Sequence, residues 1–137
     1  MNRSATTLLL SLLVWFAGCA PTLAVAGAPT ETPGLARVEL RQQQGEWFTL
    51  IVRNLSSSPL TIEQDGFVFV SGGSTRRQEA PPPGVVHDVA PGSDKELHLR
   101  FNVAGIRRGQ TAQLVFPRAL HINNQTVPVT PLELRAE

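Results

Sequence analysis

From Leu35 onward the apolar residues of this chain recur at every second position, and this period restricts the fold more than any other feature. Val38 and Leu40 alternate with Arg37, Glu39 and Arg41. Phe48, Leu50 and Val52 alternate with Thr49, Ile51 and Arg53, and Leu97, Leu99 and Phe101 with Glu96, His98 and Arg100. Leu114 and Phe116 alternate with Gln113 and Val115. A spacing of two puts successive side chains on opposite faces of an extended strand, with one face in the core and one in water. Ile51 and Val115 on the outer positions predict local cover by a loop or a partner.

Turn residues separate these runs. Gln44-Gly45 lies between the first two, Asn54-Leu55-Ser56-Ser57-Ser58-Pro59 follows the second, and Asp65-Gly66 precedes Phe67 to Val70. Ala90-Pro91-Gly92-Ser93 precedes the run over 95–101. Asn123-Asn124 falls between 119–122 and 126–129, and asparagine tolerates the positive φ of a tight hairpin. Prolines are spread along the chain, and no dozen residues after the first thirty carry a helical period without a breaker. Short strands at this spacing predict an all-β sandwich or barrel. The longest irregular stretch is Ser71 to Gly84, with Gly72-Gly73, Arg76-Arg77 and Pro81-Pro82-Pro83. The three prolines predict a short polyproline II segment. Arg76, Arg77, Pro81, Pro82 and Pro83 form a candidate partner loop.

The first eighteen residues are of another kind. Arg3 supplies a positive start, and Leu8 to Phe16 is apolar except for Ser11. The run is shorter than the roughly 20 residues a membrane-spanning helix needs, and it fits the apolar region of an export signal. It ends in Phe16-Ala17-Gly18-Cys19, and Cys19 is the single cysteine. This segment resembles a bacterial lipoprotein signal peptide ending in a lipobox. The resemblance implies cleavage between Gly18 and Cys19, a diacylglyceryl group on Cys19, and attachment by two or more acyl chains. Two chains hold a protein stably where one binds marginally. Ala20, where an aspartate would mark inner-membrane retention, implies sorting to the periplasmic face of the outer membrane. Ala24-Val25-Ala26 is a competing small-x-small site, and cleavage between Ala26 and Gly27 would release a soluble periplasmic protein.

On the first reading residues 1–18 are signal peptide, 19–34 a lipid-anchored flexible tether and 35–137 a single domain. The tether contains prolines and small residues without a period. About 15 such residues reach roughly 50 Å fully extended and about 20 Å as a coil. Loss of Arg3 with the leader leaves eleven basic and eleven acidic residues. A neutral balance argues against nucleic acid or anionic lipid as the main partner, since both need a basic surplus. With one cysteine there is no intramolecular disulfide, so core burial must stabilise the domain.

No chemistry stands out. His87, His98 and His121 lack metal-ligand spacing, so no metal site is assigned, although a site assembled from the three by folding remains an alternative. There is no Gly-x-Ser-x-Gly elbow and no phosphate-binding glycine loop. The chain is therefore expected to be no enzyme and to use no cofactor.

Val52-Arg53-Asn54 closing one strand, the Ser/Pro turn after it, and Ala90-Pro91-Gly92 before the strand through Leu97, Leu99 and Phe101 resemble small bacterial immunoglobulin-like domains. That resemblance implies a single immunoglobulin-like antiparallel β-sandwich of about 7–9 strands serving binding or assembly. The expected function is a non-catalytic, membrane-anchored module that holds an envelope protein. The alternatives are a hydrolase inhibitor inserting Ser71–Gly84, and a lipoprotein that binds a small ligand or metal.

Overall fold

The structure, a computed structural model, describes residues 22–25 and 29–137. The signal peptide, Gly18, Cys19, Ala26 and Gly27 lie outside the described residues. Thirteen strands are described: β1 (Leu23–Val25), β2 (Thr30–Thr32), β3 (Ala36–Gln44), β4 (Trp47–Asn54), β5 (Leu60–Glu63), β6 (Val68–Ser71), β7 (Ser74–Arg77), β8 (Val86–Val89), β9 (Asp94–Arg100), β10 (Thr111–Val115), β11 (Leu120–Ile122), β12 (Gln125–Thr126) and β13 (Leu132–Ala136). They form three antiparallel sheets, ordered β1-β13-β10-β6-β7, β2-β3-β4-β9 and β12-β11-β5-β8. The all-β sandwich expected from the period is present. The strands outnumber those expected because several are edge pieces of two to four residues, too short for a period to show.

The alternation sorts side chains as the sequence requires. Phe48, Leu50 and Val52 of β4 and Leu97 and Leu99 of β9 are buried, as are Ala112 and Leu114 of β10 and Leu132, Leu134 and Ala136 of β13. Between the sheets Phe48 meets Phe69 at 5.7 Å and Phe101 edge-on at 5.4 Å, near the separations that aromatic pairs favour. Ile51 and Val115, the outward apolar residues, are half-buried.

The turns carry the expected residues for identifiable reasons. Asn123 and Asn124 adopt φ of 52° and 61° between β11 and β12, the positive pair that a two-residue hairpin needs. Gly66, in a 3₁₀ turn at Gln64–Gly66, is required by space. A Cβ there would lie 2.6 Å from the Cα of Ala119, whose carbonyl accepts the Glu63 N–H at 2.7 Å. Backbone faces backbone, so neither side gives way easily. Gly66→Ala is expected to lower stability by about 1–3 kcal/mol, read as a lower urea midpoint at unchanged slope.

The flexible tether expected over 19–34 is corrected by two of the strands. Within it β1 adds to β13, pairing Leu23 with Ala136, and β2 adds to β3, pairing Thr30 with Val38. Leu23 is 4 % exposed. The cause lies in β3. Its register against β4 steps from Leu40↔Leu50 to Gln42↔Thr49, so Arg41 forms a bulge without a partner. Past the bulge Gln43 stands opposite the inward Phe48, and its Oε1 accepts the Leu23 N–H at 2.7 Å. At the chain end the Glu137 N–H donates to the Thr22 carbonyl at 2.9 Å. Thr30 Oγ1 donates to the Thr130 carbonyl at 2.8 Å, and Thr32 Oγ1 to the Pro128 carbonyl. These partners lie about a hundred residues away in sequence, so nothing local announces them.

Candidate functional site

The outer face of the β2-β3-β4-β9 sheet gathers most of the charged side chains that meet one another. Outward positions of β3 supply Arg37 and Glu39, β4 supplies Thr49, Ile51 and Arg53, and β9 supplies Asp94, Glu96 and His98. Across the sheet Glu39 faces Ile51, which faces Glu96, while Arg37 faces Arg53, which faces Asp94. Arg37 and Arg53 are like charges directly opposed, a destabilising arrangement if left alone. Each is compensated: Arg37 meets Glu39 at 3.4 Å and Arg53 meets Asp94 at 3.7 Å. Arg41, freed by the bulge, reaches Glu96 at 3.2 Å, and Glu96 also meets His98 Nε2 at 3.0 Å.

Arg37, Glu39, Arg41, Arg53, Asp94 and Glu96 line a shallow depression of about 370 Å³ around half-buried Ile51. A neighbouring depression of about 420 Å³ is lined by Gln42, Gln44, Trp47, Thr49 and His98. The ion pairs are solvent-exposed, and such pairs contribute about 0–1 kcal/mol each. They therefore add little to stability, whereas alternating charge of this kind can select a complementary surface and set the rate of encounter. The ladder was legible in the sequence only as a wet face. That its charges form one connected patch follows from the strand register.

The candidate partner loop is more ordered than expected. Ser71 to Arg77 belongs to the β6–β7 hairpin, where Arg76 pairs with Phe69 and Arg77 with Val68, so the two arginines lie on opposite faces. The Arg76 guanidinium donates to the Asn102 carbonyl at 2.6 Å. Asp65 ties the rest down, accepting from the Gln78 side-chain amide and from the Gly84 N–H, both at 2.8 Å. Residues 81–84 form a bend and a turn where polyproline II was expected. Pro82 and Pro83 are exposed and Pro81 is half-buried.

The three histidines stay apart. His98 lies on the charged face just described. His87 of β8 faces Ile62 of β5, and His121 of β11 faces the neighbouring Thr61, which places them on opposite sides of their sheet. His121 Nε2 bonds the Arg118 carbonyl at 2.8 Å. Burial, and secondarily the charge of Lys95, lowers the His87 pKa. Its Nε2 has no hydrogen-bond partner among the described residues. Arg100 is held still more firmly charged by its hydrogen bond to Glu46 at 2.8 Å. Among the described residues no three His, Cys, Asp or Glu converge as a metal site, and no helix is long and apolar enough to cross a membrane.

Asn54 was visible in the sequence only as a strand terminator. It is fully buried. Its side-chain amide donates to the carbonyls of Ser58 at 2.7 Å and Val89 at 3.0 Å. Its Oδ1 accepts from the Ser56 N–H and hydroxyl at 2.9 and 2.7 Å. Its backbone bonds the Ser93 carbonyl and the Gly92 N–H. One residue thus joins the end of β4 to the turn after it, to β8 and to the β8–β9 turn, and so holds one end of the charged face.

No protein-family model matches the chain. No curated protein matches it. Among solved structures it is similar to YcdA, a candidate lipoprotein of Bacillus subtilis subsp. subtilis strain 168, with a TM-score of 0.57 and 12 % identity. The likeness covers 80 % of this chain but 39 % of that one. At this identity the similarity is one of fold.

Proposed function

We propose that this protein is a lipoprotein attached to the cell envelope through Cys19, on the periplasmic face of the outer membrane, and that it is a non-catalytic module holding an envelope protein. The observation that carries the anchor is the burial of Leu23 within β1. Cleavage between Ala26 and Gly27 would strip β1 from β13 and expose the core beneath it. Cleavage between Gly18 and Cys19 leaves the sheet whole and puts an acceptor cysteine at the new N-terminus. A candidate lipoprotein sharing the fold points the same way.

The proposed partner surface is the ion-pair ladder around Ile51, with the immunoglobulin-like resemblance in support of a binding role. Its partner is an envelope protein presenting the opposite alternation of charge. Exposed charges act over roughly 8–10 Å at physiological salt and less above it, so capture should weaken as salt rises. The test is affinity capture from intact envelopes at native expression, with mass determination of the mature N-terminus. Expected are an acylated Cys19 and a stoichiometric partner that is lost on the double charge reversal Arg53→Glu with Glu96→Arg. A free Gly27 N-terminus overturns the anchor, and recovery of the protein alone overturns the binding role.

A further inference from the structure

We propose that the pole of the sandwich carrying Trp47, Arg107 and Arg108 lies directly on the anionic bilayer surface; this rests on acylation of Cys19. The first described residue of the domain is Thr22, whose carbonyl is bonded by the Glu137 N–H. From Cys19 to Thr22 the chain spans at most about 11 Å. The headgroup layer of one leaflet takes up roughly 5–8 Å of that. Thr22 is therefore kept within a few ångströms of the lipid surface, and the end of the domain around it has nowhere else to go.

That end is defined by four contacts. The Leu23 N–H bonds Gln43, one register step from the Gln44↔Trp47 pair at the β3–β4 hairpin. Leu23 pairs with Ala136. The Ala136 carbonyl accepts the Gly109 N–H at 2.8 Å, and the Ala136 N–H donates to the Gln110 carbonyl at 2.9 Å. The loop bearing Arg107 and Arg108 is thus tied beside the anchor-proximal end of β1.

Its chemistry suits a lipid headgroup layer. Trp47 is 49 % exposed, an unusual position for so large an apolar ring, and tryptophan favours the membrane–water boundary. Arg107 and Arg108 are exposed. Among the described residues neither lies within 4.0 Å of a carboxylate. The other charged groups of this pole, Arg100 with Glu46 at 2.8 Å and Glu79 at 3.8 Å and Arg135 near Glu137 in the chain, leave one negative charge in excess, so with Arg107 and Arg108 the pole keeps one net positive charge. Each arginine at an anionic membrane surface contributes about 1 kcal/mol, enough to bias the orientation of a domain the lipid already holds nearby.

The leader contains Trp15, so Trp47 is the single tryptophan of the mature chain and its fluorescence reports this pole alone. The full acylated protein is reconstituted into vesicles of phosphatidylethanolamine and phosphatidylglycerol, with plain or brominated acyl chains, after its N-terminal mass has been measured. Trp47 emission is expected to shift to shorter wavelength in plain vesicles and to be quenched in brominated ones. Arg107→Glu with Arg108→Glu is expected to lose most of that quenching while keeping the thermal midpoint. Equal emission from plain and brominated vesicles, with the acyl chains confirmed on Cys19, overturns this orientation and leaves the anchor standing. Full quenching in the double variant overturns the role of the arginines. A mass without acyl chains overturns the anchor and this inference together.

Discussion

Asn54→Ala is expected to destabilise the folded protein by about 3 kcal/mol. The side chain is fully buried and makes four hydrogen bonds, two donated by its amide to the Ser58 and Val89 carbonyls and two accepted from Ser56. A typical internal hydrogen bond contributes about 0.5–1.5 kcal/mol net, whereas a buried group left without a partner costs about 1–3 kcal/mol. Alanine loses the first contribution and incurs the second at the Val89 carbonyl, which sits inside the structure. Asn54→Asp separates the causes. The carboxylate can still accept from Ser56, but it presents oxygen, and charge, to the Ser58 and Val89 carbonyls. It should therefore be at least as damaging as alanine, although it nearly preserves shape. Urea denaturation followed by tryptophan fluorescence measures both; an Asp variant as stable as the native chain would show that the amide donors do not matter.

Phe48→Ala is expected to cost about 3–5 kcal/mol, the range for removing a buried aromatic ring. Phe48 is fully buried and bridges the two facing sheets by touching Phe69 of β6 and Phe101 after β9. Its loss opens a cavity where β4 meets the opposite sheet, and the backbone there is tied on both sides by β3 and β9. Collapse into the space is therefore small. Many domains of this size have about 5–15 kcal/mol of total stability, so this one change takes a large share of it. Phe48→Leu, which refills most of the volume, should recover more than half of the loss. Thermal and urea unfolding of the two variants checks the ordering, and equal losses would show that ring contacts rather than volume govern the site.

Much of the core was legible from spacing. The inward residues of β4, β9 and β10 were those the alternation selected, and the Asn123-Asn124 hairpin took the positive φ pair that its residues permit. The outward charges of β3, β4 and β9 were legible as a wet face, and that face is now the candidate partner surface. The Ser71–Gly84 stretch was misread in part, because Ser74 to Arg77 carries no apolar alternation and becomes a strand by pairing with β6. No local pattern distinguishes such a segment from a loop.

The N-terminal boundary shows the same division more sharply. Composition made residues 19–34 read as a tether, since small residues and prolines have little side-chain surface to bury. Yet Leu23 and Thr30 join the sheets, because β13 and β3 have edges whose backbone groups need partners and because the bulge at Arg41 turns Gln43 toward Leu23. By itself the sequence determined that the chain is all-β, where most of its turns fall, and which side chains avoid water, because each of these depends on neighbours one to four residues apart. Only the tertiary structure decided that residues 23–25 and 30–32 join the sheets and which charges meet on one face. Those depend on strand pairings between residues dozens to a hundred positions apart, and the backbone hydrogen bonds that form them carry no side-chain signature.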